Sequence, residues 1–140
     1  MKAALEIAQH FFMRYHAHDL QGMLACFSAD GRIDYLPIQS EGPAGVAGLK
    51  IWTALIDAFP DLSNQVTAHY VDARGQAIVL EVTIRGTQAK DAFGIDNLGR
   101  SFELPHVFIL KIANDGLIQS MKAYWDNATW YQALGKKQLE

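Results

Sequence analysis

The segment from Ser101 to Ala113 places one ionisable side chain on an otherwise apolar face. Phe102, Leu104, His106, Phe108, Leu110 and Ile112 recur at every second position, the spacing of one face of a strand. Burial disfavours a charged imidazole, so His106 is expected to be neutral, able to take a proton or donate a hydrogen bond. The plainer alternative is a core histidine bonded to a backbone carbonyl. Tyr35 shares a side with Ile33 in a short strand-like stretch; its hydroxyl either binds a substrate oxygen or packs at a rim. Asp126 ends the alternation of Leu117 to Trp125. It reads as the N-cap of a short helix and, because strand ends twist, as an acid–base group at the mouth of a pocket. The candidate catalytic set is therefore His106 and Asp126 for proton transfer and Tyr35 as oxygen ligand.

Other chemistries lack their residues. Gly42-Pro43-Ala44-Gly45-Val46-Ala47-Gly48 has the wrong spacing for a glycine-rich phosphate loop and no Lys-Ser/Thr pair. His10, His16 and His18 have no Cys, Asp or Glu at metal-site spacing beside them, so no metal is expected. Gly-x-Ser-x-Gly and Cys-x-x-Cys are absent from the sequence, and no cofactor is expected.

The 140 residues are 50% hydrophobic and 19% charged, which fits one domain, residues 1–140, with a substantial core. A net charge of −3 without a basic block argues against a nucleic-acid partner. Cys26 has no second cysteine to pair with and sits in an apolar helical pattern, as a buried thiol would. The first six residues open an amphipathic helix rather than a signal peptide, and no apolar run is of membrane-spanning length; no membrane partner and a soluble, cytoplasmic protein are expected.

The elements that would position these residues follow from periodicity. Ala4, Ile7, Ala8, Phe11, Phe12 and Tyr15 predict a helix to about His16. Asp19 caps a second helix with Leu20, Met23, Leu24 and Phe27 on its face, broken by Ser28 to Gly31. Arg32 to Leu36 is a short strand limited by Pro37. A third helix starts near Pro43, with the stripe Val46, Leu49, Trp52, Leu55, Ile56 and Phe59, and stops at Pro60. Strands follow at Val66 to Val71, Ala77 to Thr87, Ser101 to Ala113 and Leu117 to Trp125. Ile78, Leu80, Val82 and Ile84 share one face, as do Leu117, Met121, Ala123 and Trp125. Ala128, Tyr131 and Leu134 give a short final helix ended by Gly135. The fold class is α+β, a curved antiparallel sheet folded over helices on one face.

Several stretches carry a family resemblance: Phe59-Pro60-Asp61-Leu62, Arg85-Gly86-Thr87, Gly99-Arg100, Asp115-Gly116-Leu117-Ile118, Tyr124-Trp125-Asp126 and Gln132-Ala133-Leu134-Gly135. Together they resemble the SnoaL-like branch of the nuclear transport factor 2-like superfamily, which includes polyketide cyclases and limonene epoxide hydrolase. Ile118 to Trp125 and Asp19 to Pro37 are similar to segments of ketosteroid isomerases. The resemblance implies a cone-shaped, cystatin-like α+β barrel: a sheet wrapped around three N-terminal helices, with a short C-terminal helix and an apolar pocket at the open end. The pocket is expected to be lined by Phe11, Tyr15, Tyr35, Trp52, Phe59, His106, Phe108, Met121 and Trp125. Such walls suit a flat, apolar small molecule with one or two oxygens.

The resemblance also implies what is missing. Ketosteroid isomerases use an aspartate base with a tyrosine and a protonated aspartic acid; these positions fall on Tyr35, near Phe11 and on Phe108. The Asp-Arg-Asp set of epoxide hydrolases falls on Phe108, His106 and Ala123. The acid–base aspartate of SnoaL-type cyclases matches Asp126, or Ala123, where it is absent. Two functions follow: an isomerase- or lyase-type enzyme doing acid–base chemistry on an apolar carbonyl compound, or a non-catalytic binding protein for an apolar small molecule. Val79, Val107 and Ile109, on the face opposite Ile78 and His106, predict a homodimer through the outer sheet face, as relatives in the family often form.

Overall fold

The computed structural model of the protein describes residues 3–137. Helix α1 (Ala4–His16) buries the expected stripe, Ala4, Ile7, Ala8, Phe11, Phe12 and Tyr15, and ends with Arg14 and His16 in its last turn, where cationic side chains suit the carbonyl end. Asp19 starts α2 (Leu20–Leu24) by accepting the Gly22 N–H at 2.9 Å. Phe27 does not extend this helix; it opens β1 (Phe27–Tyr35). The cause is the last strand, whose Ile118 N–H donates to the Cys26 carbonyl and so recruits the chain early. Ser28 to Gly31 is thus an irregular part of β1 rather than a break before it. A Cβ on Gly31 would lie 2.9 Å from the Ser28 carbonyl and 3.0 Å from that of Ile118, so this close backbone approach needs glycine.

A 3-10 turn (Leu36–Ile38) leads to β2 (Ser40–Pro43), an edge strand the sequence pattern did not suggest. Its four residues, with Pro43 at their end and Pro37 in the turn before them, carry too short an alternation to read. Pro43 closes this strand. The chain then makes a π-turn (Ala44–Gly48) before α3 (Leu49–Ala58). The wider turn shifts the helical phase: Val46 is exposed, and Ile51 joins Trp52, Ala58 and Phe59 in the core.

The remaining strands form the expected meander: β3 (Ser63–Val71), β4 (Ala77–Thr87), β5 (Ser101–Ile112) and β6 (Ile118–Tyr124), followed by α4 (Asn127–Ala133). The sheet order is β2-β1-β6-β5-β4-β3. Every joint is antiparallel except β1 on β6, which is parallel. The sheet curves without closing, and register shifts in β1, β3 and β6 supply local bends. The shift in β6 also corrects the sequence reading of its faces: Ile118 lies buried with Met121 and Ala123 instead of opposite them. In α4 the buried residue is Trp130, and Ala128 is exposed.

The concave face carries Ile78, Leu80, Val82, Ile84, Leu104, Phe108 and Leu110, all buried, under α1 and α4. Each fully buried side chain of this size contributes about 1.5–3 kcal/mol. His16 and His18 pin α1 to the start of β3: His16 Nδ1 accepts the Asn64 N–H at 3.3 Å, and His18 Nε2–H donates to the Leu62 carbonyl at 2.7 Å. Among the described residues no helix is long and apolar enough to cross a membrane.

Candidate functional site

A cavity opens between the concave face and the helices. The sheet contributes Tyr35, Ile84, Phe102, His106 and Phe108 to its wall; Tyr15, Leu55, Leu62 and Trp130 come from the helices and the turn after α3, and Ile38 and Trp125 complete it. Ile38, Leu55 and Trp125 are half-buried and mark the mouth. Space for the centre of a water-sized sphere is about 20 Å³, within about 410 Å³ of atom-free space that includes the opening. That is room for about one water, whereas sites for drug-sized ligands run to about 300–1,000 Å³. A ligand larger than a water must therefore displace side chains.

His106 is the polar centre of the wall. It is 9% exposed, lies parallel to Phe108 with ring centroids 5.8 Å apart, and meets Trp125 at 5.0 Å. Nδ1 is 3.0 Å from the Leu104 carbonyl. A carbonyl only accepts, so Nδ1 carries the proton and Nε2 keeps its lone pair. Burial pushes the imidazole down to about 4, with the Leu104 bond opposing the shift. The side chain thus bonds a backbone carbonyl and also borders the cavity.

Tyr35 is fully enclosed and accepts the Trp52 indole N–H at 2.9 Å. Burial pushes its hydroxyl well up, partly offset by the Trp52 bond. Burial also raises Tyr15, with Tyr35 nearby adding to the effect. Both hydroxyls stay protonated at neutral pH and present donors. Trp125 is held at the mouth by its indole N–H, which donates to Asn127 Oδ1 at 3.0 Å. Its ring stands edge-on to Tyr35 at 5.8 Å. Five of the expected residues, Tyr15, Tyr35, His106, Phe108 and Trp125, therefore meet at one cavity.

The other expected residues lie elsewhere. Asp126 is exposed and off the cavity wall, because β6 ends at Tyr124 and the chain turns to start α4. Its carboxylate accepts the Thr129 N–H at 3.2 Å, and its bonds to Thr129 hold it below the usual carboxylate range. Phe11, Trp52, Phe59 and Met121 are buried but not among the lining residues. They sit one layer deeper. Phe11 packs on Phe27 and Trp52, and Phe59 packs on Phe102 and Trp130. Trp130 also borders the cavity; its sequence signal is the apolar pair it makes with Leu134 at helical spacing. Ile84 and Phe102 were on correctly assigned strand faces, but their height along the sheet was not legible. Among the described residues no group of three His, Cys, Asp or Glu is placed to hold a metal ion.

The family model of the SnoaL-like domain matches residues 8–121. The chain belongs to the SnoaL-like domain family. Its fold is that of the SnoaL-like branch of the nuclear transport factor 2-like superfamily. It superposes on a proposed polyketide cyclase from Pseudomonas putida with a TM-score of 0.83 at 17% identity, over 96% of this chain and 100% of that one. AclR, a proposed hydroxylase from Streptomyces galilaeus, gives 0.82 at 18%, over 96% and 86%. IdmH, a proposed polyketide cyclase from Streptomyces antibioticus, gives 0.81 at 18%, over 94% and 98%. At these identities the likeness is one of fold. No curated protein matches the sequence.

The depressed His106 has a consequence for stability. The imidazole protonates near 6.5 in the unfolded chain and near 4 in the folded one. As pH falls through this window the unfolded state gains the proton first. The His106 contribution is fully present above about pH 6.5 and is lost as pH falls towards 4. Thermal melts of wild type and His106→Phe should differ by a constant amount above about pH 7, with the difference moving in favour of the variant as pH falls to 4. Parallel pH dependence of the two proteins would show that His106 titrates as a solvated histidine.

Proposed function

We propose that this SnoaL-like protein is an enzyme that uses His106 for acid–base chemistry on an apolar carbonyl compound. Cyclisation, isomerisation and hydration or dehydration all fall within that chemistry. One observation carries the reading: Nδ1 of His106 is committed to Leu104, so a neutral imidazole with Nε2 free borders an apolar cavity beside two protonated tyrosines. In the proposed reaction Tyr35 O–H donates to the substrate carbonyl oxygen, and Nε2 takes a proton from the adjacent carbon. The electrons of the broken C–H bond move onto the carbonyl, giving an enolate at Tyr35 and an imidazolium at His106. In a substrate with a β,γ double bond, returning the proton to the γ carbon isomerises it. Attack of the enolate carbon on a second carbonyl carbon closes a ring, the π electrons of that carbonyl moving to its oxygen, which takes the proton from the imidazolium. An imidazole that protonates near 4 is a weak base in the free protein, but the developing enolate is an opposite charge close by and raises its proton affinity. Proposed polyketide cyclases among the fold relatives support this class of chemistry.

A specific observation supports the second reading, a binding protein without turnover. No carboxylate borders the cavity among the described residues, and the low proton affinity of His106 suits a hydrogen-bonding acceptor as well as a base. Ketosteroid isomerase activity is not expected under either reading, because the matching Phe108 offers no donor to a dienolate oxygen.

We further propose that two copies pair through the outer sheet face. Cross-strand neighbours Tyr70, Val79 and Ile109 form one row, and Val107 beside Tyr124 a second. Val107 and Tyr124 are exposed, and a second copy would cover them. Sedimentation velocity at micromolar concentration should give a dimer mass; a monomer would contradict the proposal.

Activity should be assayed on small ketones, polyketide-like esters and epoxides. His106→Ala is expected to lower turnover by about 10²–10⁴-fold. Asp126→Asn should leave it nearly unchanged, since Asn still caps α4. Activity that survives His106→Ala and vanishes in Asp126→Asn would overturn the assignment. Tight binding of an apolar ligand with turnover on no substrate would favour the binding-protein reading.

A further inference from the structure

Among the described residues two buried side-chain polar atoms have no hydrogen-bond partner, Gln88 Oε1 and Trp130 Nε1. Trp130 is the one that borders the cavity. It is 3% exposed and is enclosed by carbon rings: Phe59, Phe93, Phe102 and Trp125 have centroids 5.4–6.3 Å from its own. Packing alone does not call for an indole here, because a buried donor without an acceptor loses its water and gains nothing in return. The other two tryptophans of the chain behave differently. Trp52 donates to Tyr35 and Trp125 donates to Asn127.

We propose that the Trp130 indole N–H is a second polar anchor of the cavity, and that it donates to an uncharged acceptor oxygen of the ligand. The inference rests on the reading of this cavity as the ligand site. Tyr35 and Trp130 both pack against Trp125 in T-shaped contacts, at 5.8 and 6.3 Å, and in the proposal their donors hold different parts of one ligand. The substrate class narrows accordingly: an apolar molecule with two separated oxygen acceptors, one held by Tyr35 next to the reacting carbon and one held by Trp130. A charged oxygen is disfavoured, because no cationic side chain borders the cavity among the described residues and burying an unpaired charge is costly.

The test uses cyclohexane-1,4-dione, whose two carbonyls lie at opposite ends of a compact apolar ring, with cyclohexane as the oxygen-free control. The three tryptophans give three indole N–H signals in the spectrum of ¹⁵N-labelled protein, and the signal missing from Trp130→Phe identifies Trp130. In the intact protein the dione should move the Trp130 N–H downfield, and cyclohexane should not. Trp130→Phe should lose roughly three- to tenfold of the preference for dione over cyclohexane, the worth of one neutral hydrogen bond. If the dione shifts His106 signals but leaves the Trp130 N–H at its cyclohexane position, the proposal is overturned while the cavity remains the ligand site. That outcome would mean the N–H already points at a neighbouring ring face. If neither probe disturbs any cavity residue, the reading of the cavity fails, and this inference with it.

Discussion

The bond from Trp52 Nε1–H to the Tyr35 hydroxyl, 2.9 Å long and fully enclosed, ties α3 to β1 behind the cavity. It also sets which part of the Tyr35 hydroxyl remains available. Trp52 occupies one lone pair of the hydroxyl oxygen and leaves the Tyr35 proton to donate. The local chain is shaped to permit it. Gly48, at the end of the π-turn, would carry a Cβ only 2.8 Å from the Trp52 ring, so the ring can lie flat against the backbone only because no side chain is there. From Trp52 the aromatic contacts run through Phe11 and Phe12 to Phe108, and Phe108 stacks on His106. The position of His106 thus depends on the same packed array that holds Tyr35.

An apolar setting for a single histidine has two opposed effects. Burial strips water from the imidazole and lowers its proton affinity, which keeps the folded protein free of an unpaired buried charge at neutral pH. The same desolvation strengthens any charge–charge interaction formed when a substrate develops negative charge nearby. The cavity has room for about one water, so the second effect requires a rearrangement of the lining residues. Trp125, half-buried and tethered to Asn127, contacts Tyr35, His106 and Trp130. A shift of this one ring changes the surroundings of Tyr35, His106 and Trp130 together.

Much of this was legible in the sequence because the period of two in β4 and β5 is long and unbroken. Ala77–Thr87 has the bounds that its alternation suggests, and His106 lies on the face its neighbours predicted. Legibility fails where the backbone departs from a regular period. The extra residue at Gln119 reverses the phase of Ile118, the π-turn exposes Val46, and the parallel pairing of β1 with β6 draws Phe27 out of a helix. Periodicity also reports a face and not a depth. Phe11, Trp52, Phe59 and Met121 are on inward faces, as expected, yet they fill the layer beneath the cavity, and Asp126 turns outward at the strand end. The two features that most shape the site, the free N–H of Trp130 and the Trp52–Tyr35 bond, depend on contacts between distant segments and leave no local pattern.

The proposed acid–base role depends on the state of the His106 ring. Long-range ¹H–¹⁵N correlation spectra of the free protein across an acid titration observe it directly. The geometry requires a protonated Nδ1, an unprotonated Nε2 and a midpoint depressed to about 4. A ring protonated at Nε2 instead, or a midpoint near the ordinary 6.5, would mean that His106 is solvated or bonded otherwise, and the proposed base would be lost.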